Sequence, residues 1–415
     1  MIPSLDAQPA GFNYDEAQVP AYTLPDPLRD LAGTPVASAA TWQQHRRAEV
    51  LALFEENVYG RVPAGEVATR YELLEEDRQA FGGQATRQQV RVHFSRREQH
   101  LAMDILVYLP NATTDPAPIF LGLNFMGNHS VSEDPAILLN TNWMWGNTDK
   151  GVIDYRATPA ARGVAQHRWP ITTLLDRGYG LATIYVGDID PDFDDGFQNG
   201  IHPLFYRDHQ IQPKPDEWGT IGAWAWGLSR AVDYFETNPA IDATRVAVMG
   251  HSRLGKAALW AGATDERFAL VISNESGCGG AALARRRFGE TVQRITTHFP
   301  HWFNGNHPQF SEREADLPVD QHMLIALIAP RPVYIASAEG DQWSDPNGEF
   351  LSGRHAEPVY ALFGHAGLGV DHQPALHHPV GDFIGYHIRA GRHDVMDYDW
   401  AQYLNFADRH FGRSP

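Results

Sequence analysis

The chain has a single cysteine, Cys278, among 415 residues. One thiol cannot close an intramolecular disulfide, and it cannot build a cysteine-based metal site. Long apolar runs are also missing: nothing approaches the roughly 20 residues that a membrane-spanning helix needs. Positive charge is scarce, with 33 Lys and Arg against 51 Asp and Glu, for a formal net charge of −18. That balance argues against nucleic acid and anionic membrane surfaces as partners, and an anionic ligand would need a local basic pocket. The opening stretch, MIPSLDAQPAGFNYDEAQVP, has neither a basic n-region nor an apolar h-region, so no export signal is read there. No internal repeat or low-complexity tract breaks the chain. The 11 Trp and 28 Pro are abundant within an otherwise ordinary globular composition, and they tilt the reading toward a loop-rich enzyme acting on sugars.

Residues 1–40, rich in Pro, Ala and Asp, are expected to form an extended arm, followed by one catalytic domain over 41–415. Residues 41–59 have helical spacing, with Thr41 as N-cap and Gly60 as the stop. ATRYELLEE, TRQQVRVHF and LAMDILVYLP then read as antiparallel strands. The pattern changes after that. PIFLGLNF, GLATIYVGD, RVAVMGHS, FALVISNES, PVYIASAEG and DFIGYHIR are short apolar runs. Helix-like segments lie between them: WPITTLLDRGY, WGTIGAWAWGLSRAVDYFETN, RLGKAALWAGA and YDWAQYLNFADRHF. Near-continuous apolar strands alternating with helices indicate a mostly parallel sheet covered on both faces. Loops near 127–168, 188–217 and 296–322 are long enough to wall a site above such a sheet.

The segment RVAVMGHSRLGKAALWAGA, residues 245–263, sets Ser252 between a strand and an alanine-rich helix. In an α/β-hydrolase sheet the nucleophile occupies such a turn, which is strained and needs small flanking residues. The usual pattern is G-x-S-x-G. Here Gly250 fits, Leu254 fills the second glycine position, and Gly255 comes one residue later. A structural serine at a strand–helix turn is therefore the alternative. The order Ser, acid, His is nevertheless met: Glu275 and Asp341 end successive strands, and His393 follows the last one. Strand C-terminal ends are where open parallel sheets place their sites. His393 is singled out from 20 histidines by this position alone, while His387 within the strand reads as a packing residue.

The segment GHSRLGK resembles the G-C-S-R-x-G-K signature of the glucuronoyl esterases, carbohydrate esterase family 15. Further similarity lies in SNESGCGGAALARRRFGET, EGDQWSDP, AGRHDV, LNFMGNH and RGVAQHRWP, so it covers roughly residues 40–412. His251 departs from the signature cysteine, which is disulfide-bonded in fungal relatives, so the resemblance is to the bacterial type. It implies an α/β-hydrolase fold, a three-layer αβα sandwich with a mostly parallel central sheet. It implies Ser252 as nucleophile, His393 as general base, and Glu275 or Asp341 as the acid, with Glu275 slightly preferred. It also implies Arg253 at the oxyanion, and Lys256, Glu290 and Trp343 against the sugar.

Each assignment has a plainer alternative: a solvated helix lysine for Lys256, a core tryptophan for Trp343, a surface arginine for Arg253. At least one of Arg285, Arg286 and Arg287 is expected to face the site, and the loop of Asn128 and His129 to help form the oxyanion hole. Cys278 reads as a small buried residue. The implied substrate is a (4-O-methyl-)glucuronic acid ester of glucuronoxylan, as in lignin–carbohydrate linkages, hydrolysed without metal or cofactor. An acetyl or feruloyl xylan esterase and a non-catalytic carbohydrate-binding relative are the other readings. A monomer is expected, secreted or periplasmic because the polymer lies outside the cell, with its signal removed.

Overall fold

The structure is a computed structural model and describes residues 8–413. Residues 1–7 of the expected arm lie outside the described residues. Ten strands form one mixed sheet: β1 (Ala68–Gln79), β2 (Ala85–Arg96), β3 (Gln99–Pro110), β4 (Ala117–Asn124), β5 (Gly180–Tyr185), β6 (Ile241–His251), β7 (Phe268–Asn274), β8 (Val333–Ala338), β9 (Val380–Gly381) and β10 (Ile384–Arg389). Their order is β1-β2-β3-β5-β4-β6-β7-β8-β10-β9. The α/β-hydrolase fold expected from the sequence is the one found. Contacts gather the chain into two compact units, each built from several stretches of sequence.

The first unit comprises Met1–Arg61, Pro215–Gly222 and Met249–Asp394. Its strands β7, β8 and β10 are parallel, and the short β9 closes the edge antiparallel to β10. Every residue of β8 and β10 is buried, as the unbroken apolar runs require for strands covered on both faces. Burying a Val or Ile such as Val333 or Ile335 stabilises the fold by roughly 1.5–3 kcal/mol. The helix Arg253–Thr264, which follows β6, packs on β7 so closely that a Cβ on Gly262 would lie 2.4 Å from Val271. In the same unit residues 39–59 form one continuous helical run that ends before Gly60. Its N-cap is Ser38, which accepts the Thr41 N–H at 3.1 Å, so the expected Thr41 cap is corrected by three residues.

The second unit comprises Val62–Lys214, Ala223–Val248 and Val395–Pro415. It holds the antiparallel meander β1-β2-β3, to which β5 pairs antiparallel and β4 parallel to β5. β1 is an edge strand with charged residues at Arg70, Glu72, Glu75, Glu76, Asp77 and Arg78, a composition that blunts edge-to-edge pairing.

Other helices include α1 (Ile171–Asp176), α2 (Thr220–Phe235), α3 (Arg253–Thr264), α4 (Pro346–Leu362) and α5 (Asp397–Phe411). Helix α4 has no counterpart in the sequence reading, because Gly348, Gly353 and Pro358 suppress a helical pattern. It forms because Pro346 occupies its first turn and the Asp345 carboxylate caps the Gly348 N–H at 2.9 Å. Among the described residues no helix is long and apolar enough to cross a membrane.

Candidate active site

Ser252 stands between β6 and α3 with φ 58° and ψ −131°, a strained conformation that non-glycine residues rarely adopt. The turn is tight enough that a Cβ on Gly250 would lie 1.9 Å from the Leu254 carbonyl oxygen. Gly255 supplies the second gap: a Cβ there would come within 2.9 Å of the Ser276 side chain. This explains the departure from G-x-S-x-G, since the close approach is to the residue after Leu254. The Ser252 N–H donates to the Asn274 carbonyl at 2.8 Å, tying the elbow to the end of β7. Among the described residues Ser252 Oγ makes no hydrogen bond. Contacts from a general base to its nucleophile are often long before substrate binds.

Glu275 follows Asn274 directly and also has positive φ, 47°. Asp341 follows the end of β8, and His393 follows β10. The structure brings these three together. His393 Nδ1 bonds Asp341 Oδ2 at 2.6 Å. Glu275 Oε2 lies 3.2 Å from the same nitrogen but in a geometry that makes no hydrogen bond. One N–H can be shared well with only one of them, so Asp341 is the direct partner and the sequence preference for Glu275 is reversed. Glu275 Oε1 is instead held by Arg389 Nη2 at 2.6 Å. The His393 ring lies 4.4 Å from that of His251, the residue just before the serine, which places the imidazole beside the elbow. His251 itself bonds Asn274 Oδ1 through Nδ1 at 2.6 Å, joining the ends of β6 and β7.

Burial works against charge on all three groups, and their partners decide the outcome. For His393 desolvation lowers the pKa, but Asp341 and then Glu275 outweigh it and hold the imidazole well above its ordinary value. For Asp341 desolvation raises the pKa, but His393 outweighs it and keeps the carboxyl low. Glu275 is buried and is pushed up to about 8, with desolvation dominant over His393 and Arg389. Glu275, Asp341 and His393 each offer one donor atom within 4.8 Å of the others, a spacing that also suits a cation. Arg389 already brings a fixed positive charge onto Glu275, which disfavours a metal there.

Arg253, the first residue of α3, extends its guanidinium over Trp302 at 4.7 Å and Phe299 at 5.4 Å. Those two rings are stacked 3.8 Å apart, so they form a platform for the cation. Lys256, one turn further on, is only 4% exposed and donates to the Ser276 carbonyl, which excludes a solvated helix lysine. Burial lowers its pKa, and Glu290 opposes this. Burial raises Glu290, and Lys256, Arg253 and Arg294 oppose it, so these groups share one electrostatic neighbourhood. Glu290 makes no hydrogen bond through its carboxylate among the described residues, so its oxygens are available to a ligand. Its N–H donates to the Trp343 carbonyl at 3.1 Å, and Trp343 is half-buried rather than a core residue.

The arginine run does not supply the expected site residue. Arg285 is buried against Asp320 and the carbonyls of Leu317 and Val319. Arg286 pairs with Asp345 and Glu16, and the exposed Arg287 with Glu314. In the second unit, Asn128 donates to the Asp104 carbonyl at 2.8 Å and accepts from Asn124, so its amide is engaged within that unit. Sequence reasoning missed Arg389, Phe299 and Trp302. Arg389 was legible as a strand-end charge, whereas the aromatic pair lay in a stretch read only as loop.

Glu349, in the first turn of α4, supports the acid loop from below. Its carboxyl accepts from Ser337 Oγ at 2.6 Å and from the Gly277 N–H at 3.0 Å, two residues after Glu275. Burial pushes it up to about 8, so the folded protein binds this proton more tightly than the unfolded chain. Stability from that proton is complete below the ordinary glutamate range and is lost as pH rises toward 8, at no more than about 1.4 kcal/mol per pH unit. Glu349→Gln removes the titration. Its Tm relative to wild type is therefore expected to climb as pH rises from 5 to 8, measured by calorimetry; a constant difference would contradict a protonated Glu349.

An elbow serine at a helix start, with a histidine held by buried carboxylates at the following strand ends, is the arrangement of a serine hydrolase of the α/β-hydrolase class. Comparison with known proteins narrows this. A family profile of fungal glucuronyl esterases matches residues 198–364. Carbohydrate esterase MZ0003, from an unknown prokaryotic organism, is 53% identical over 408 residues, covering 98% of this chain and 94% of its own. The solved structure of a glucuronoyl esterase from Solibacter usitatus is 50% identical, with a TM-score of 0.90 over 95% of this chain and 100% of that one. A 4-O-methyl-glucuronoyl methylesterase from Phanerochaete carnosa is 38% identical over 153 residues, which span 35% of this chain and 38% of that protein. The chain belongs to carbohydrate esterase family 15, the glucuronoyl esterases, and is of the bacterial type.

Proposed function

We propose that this protein is a serine esterase that hydrolyses esters of glucuronic acid, including the 4-O-methyl form. The observation that carries the reading is the Ser252 elbow flanked by the His393–Asp341 pair, within a chain of this family. Ser252 Oγ attacks the ester carbonyl carbon and its proton passes to the free nitrogen of His393. Asp341 holds the other nitrogen and stabilises the imidazolium. The tetrahedral oxyanion forms at the first turn of α3, where the Arg253 N–H and the positive end of the helix favour negative charge. The Arg253 guanidinium, on its aromatic platform, adds a fixed cation. The alcohol leaves with the proton from His393. Water, deprotonated by the same histidine, then attacks the acyl-serine and frees the glucuronate and Ser252.

Lys256, Glu290 and Trp343 supply a donor, an open acceptor and an aromatic edge for sugar hydroxyls and the ring face. Such a site rejects a substrate whose hydroxyls leave those groups unpaired. Wild-type enzyme is therefore expected to cleave benzyl glucuronate with kcat/KM about 100-fold above the galacturonate epimer and above p-nitrophenyl acetate. Steady-state hydrolysis of the three esters tests this, and acetate in the lead would return the acetyl esterase reading. The reading extends to an enzyme that works outside the cytoplasm, where such polymers lie, and acts as a single chain; fractionation of the producing cell and light scattering test these two points.

A further inference from the structure

The arm at the N-terminus runs directly over the residues assigned to the sugar. The Phe12 ring meets Trp343 edge-on, 4.8 Å between centroids at 87°. The Asn13 carbonyl accepts the Gly289 N–H at 2.8 Å, one residue before Glu290. Tyr14 meets Phe288 edge-on at 6.1 Å. The Glu16 carboxylate then anchors the arm, 2.6 Å from Arg286 and 3.0 Å from the Asn347 amide.

On its other side the 286–290 loop lies flat against the Trp343 backbone. A Cβ on Gly289, whose φ is 61°, would sit 2.5 Å from the Trp343 carbonyl oxygen. The loop is thus held between the arm and residues 342–347. Burial raises the Tyr14 phenol to about 12, and the next contributions come from Glu290 and Asp341, so the phenol shares their surroundings. None of these arm contacts belongs to the sheet or the elbow, and all four arm residues meet the two stretches, 286–290 and 343–347, that carry Glu290 and Trp343.

We infer that the N-terminal arm is a working part of the substrate site: Phe12 and Asn13 hold Trp343 and Glu290 in place for the uronate, making Phe12 a positioning residue for sugar binding. This rests on the glucuronate reading above. Edge-on aromatic contact restricts the Trp343 ring, and the Asn13 bond restrains the backbone beside Glu290, so less order has to be gained when substrate arrives.

The test uses the full chain as wild type, Phe12→Ala, Phe12→Tyr and Glu16→Ala, on benzyl glucuronate and on p-nitrophenyl acetate, which has no sugar to position. Phe12→Ala and Glu16→Ala are expected to raise KM for the glucuronate about tenfold with kcat within about twofold, the pattern for lost uniform binding. Acetate hydrolysis should not change, and Phe12→Tyr, which keeps the ring, should restore the wild-type KM. An unchanged KM in Phe12→Ala, or an equal loss on both esters, overturns the inference. Failure of the wild type to cleave the glucuronate overturns the glucuronate reading and this inference with it, whereas a cleaving wild type with an indifferent Phe12→Ala overturns the arm alone.

Discussion

Ser252→Ala is expected to lower kcat for a glucuronate ester by about 10⁴ to 10⁶ and to leave Tm within about 2 °C of wild type. The large effect follows from chemistry. Without Oγ there is no acyl-serine, and His393 and Asp341 have no proton to move, so the three fail as a unit. The small effect on stability follows from the structure. Ser252 Oγ makes no hydrogen bond among the described residues, and alanine bears the same Cβ on the same strained backbone. The elbow is held instead by Gly250, Gly255 and the Ser252 N–H bond to Asn274. Single-turnover hydrolysis and a thermal melt on the same preparation separate the two. Retained turnover would remove Ser252 from the mechanism, and a collapsed Tm would show that the serine is structural.

Asp341→Asn should cost more than Glu275→Gln, about 10²- to 10⁴-fold in kcat against about tenfold. Asp341 takes the His393 N–H directly at 2.6 Å, whereas Glu275 touches the same atom without a hydrogen bond and is held by Arg389. The two variants also differ in pH dependence, because the base must be neutral to work. In wild type the negative charge of Asp341 keeps the imidazole protonated to a higher pH than an ordinary histidine. Activity therefore rises only as pH climbs through that elevated value. Removing the charge lowers the histidine pKa, so the acid limb of kcat/KM moves to lower pH in Asp341→Asn while the plateau falls. Stability follows with the same sign: the ion pair contributes fully below the unfolded histidine value and fades as pH rises through the folded one. The Tm gap between wild type and Asp341→Asn should accordingly narrow at alkaline pH. A larger loss and a larger limb shift in Glu275→Gln would make Glu275 the principal acid.

Much of this protein was legible in one dimension. Apolar runs such as VYIASA are buried on both faces and had to be strands of a covered sheet, and the meander over 68–110 showed its alternation plainly. The glycines around Ser252 reported the turn, because only backbone without a Cβ passes the Leu254 carbonyl. The strand-end positions of Glu275, Asp341 and His393 followed from the order of elements. What stayed hidden depended on segments far apart in sequence meeting at sub-ångström tolerance.

Which of two carboxylates bonds His393 is a matter of 2.6 against 3.2 Å and of angle, and no local pattern encodes that. Helix α4 is held by the Asp345 cap and by packing against the sheet despite glycines and a proline, so its propensity pointed the wrong way. Lys256 and the arginine run carry charges whose burial or pairing is set by neighbours from elsewhere in the chain: the Ser276 carbonyl, Asp320, Asp345 and Glu16. The stretch that reads as an extended arm is brought onto Trp343, more than 300 residues later in the chain, by contacts that exist only after folding. Sequence by itself determined the backbone periods, the strained turn and the order of the reactive groups, because those are local properties of a chain. The tertiary structure decided which partner each group meets, because pairing depends on where the sheet places ends that the sequence keeps apart.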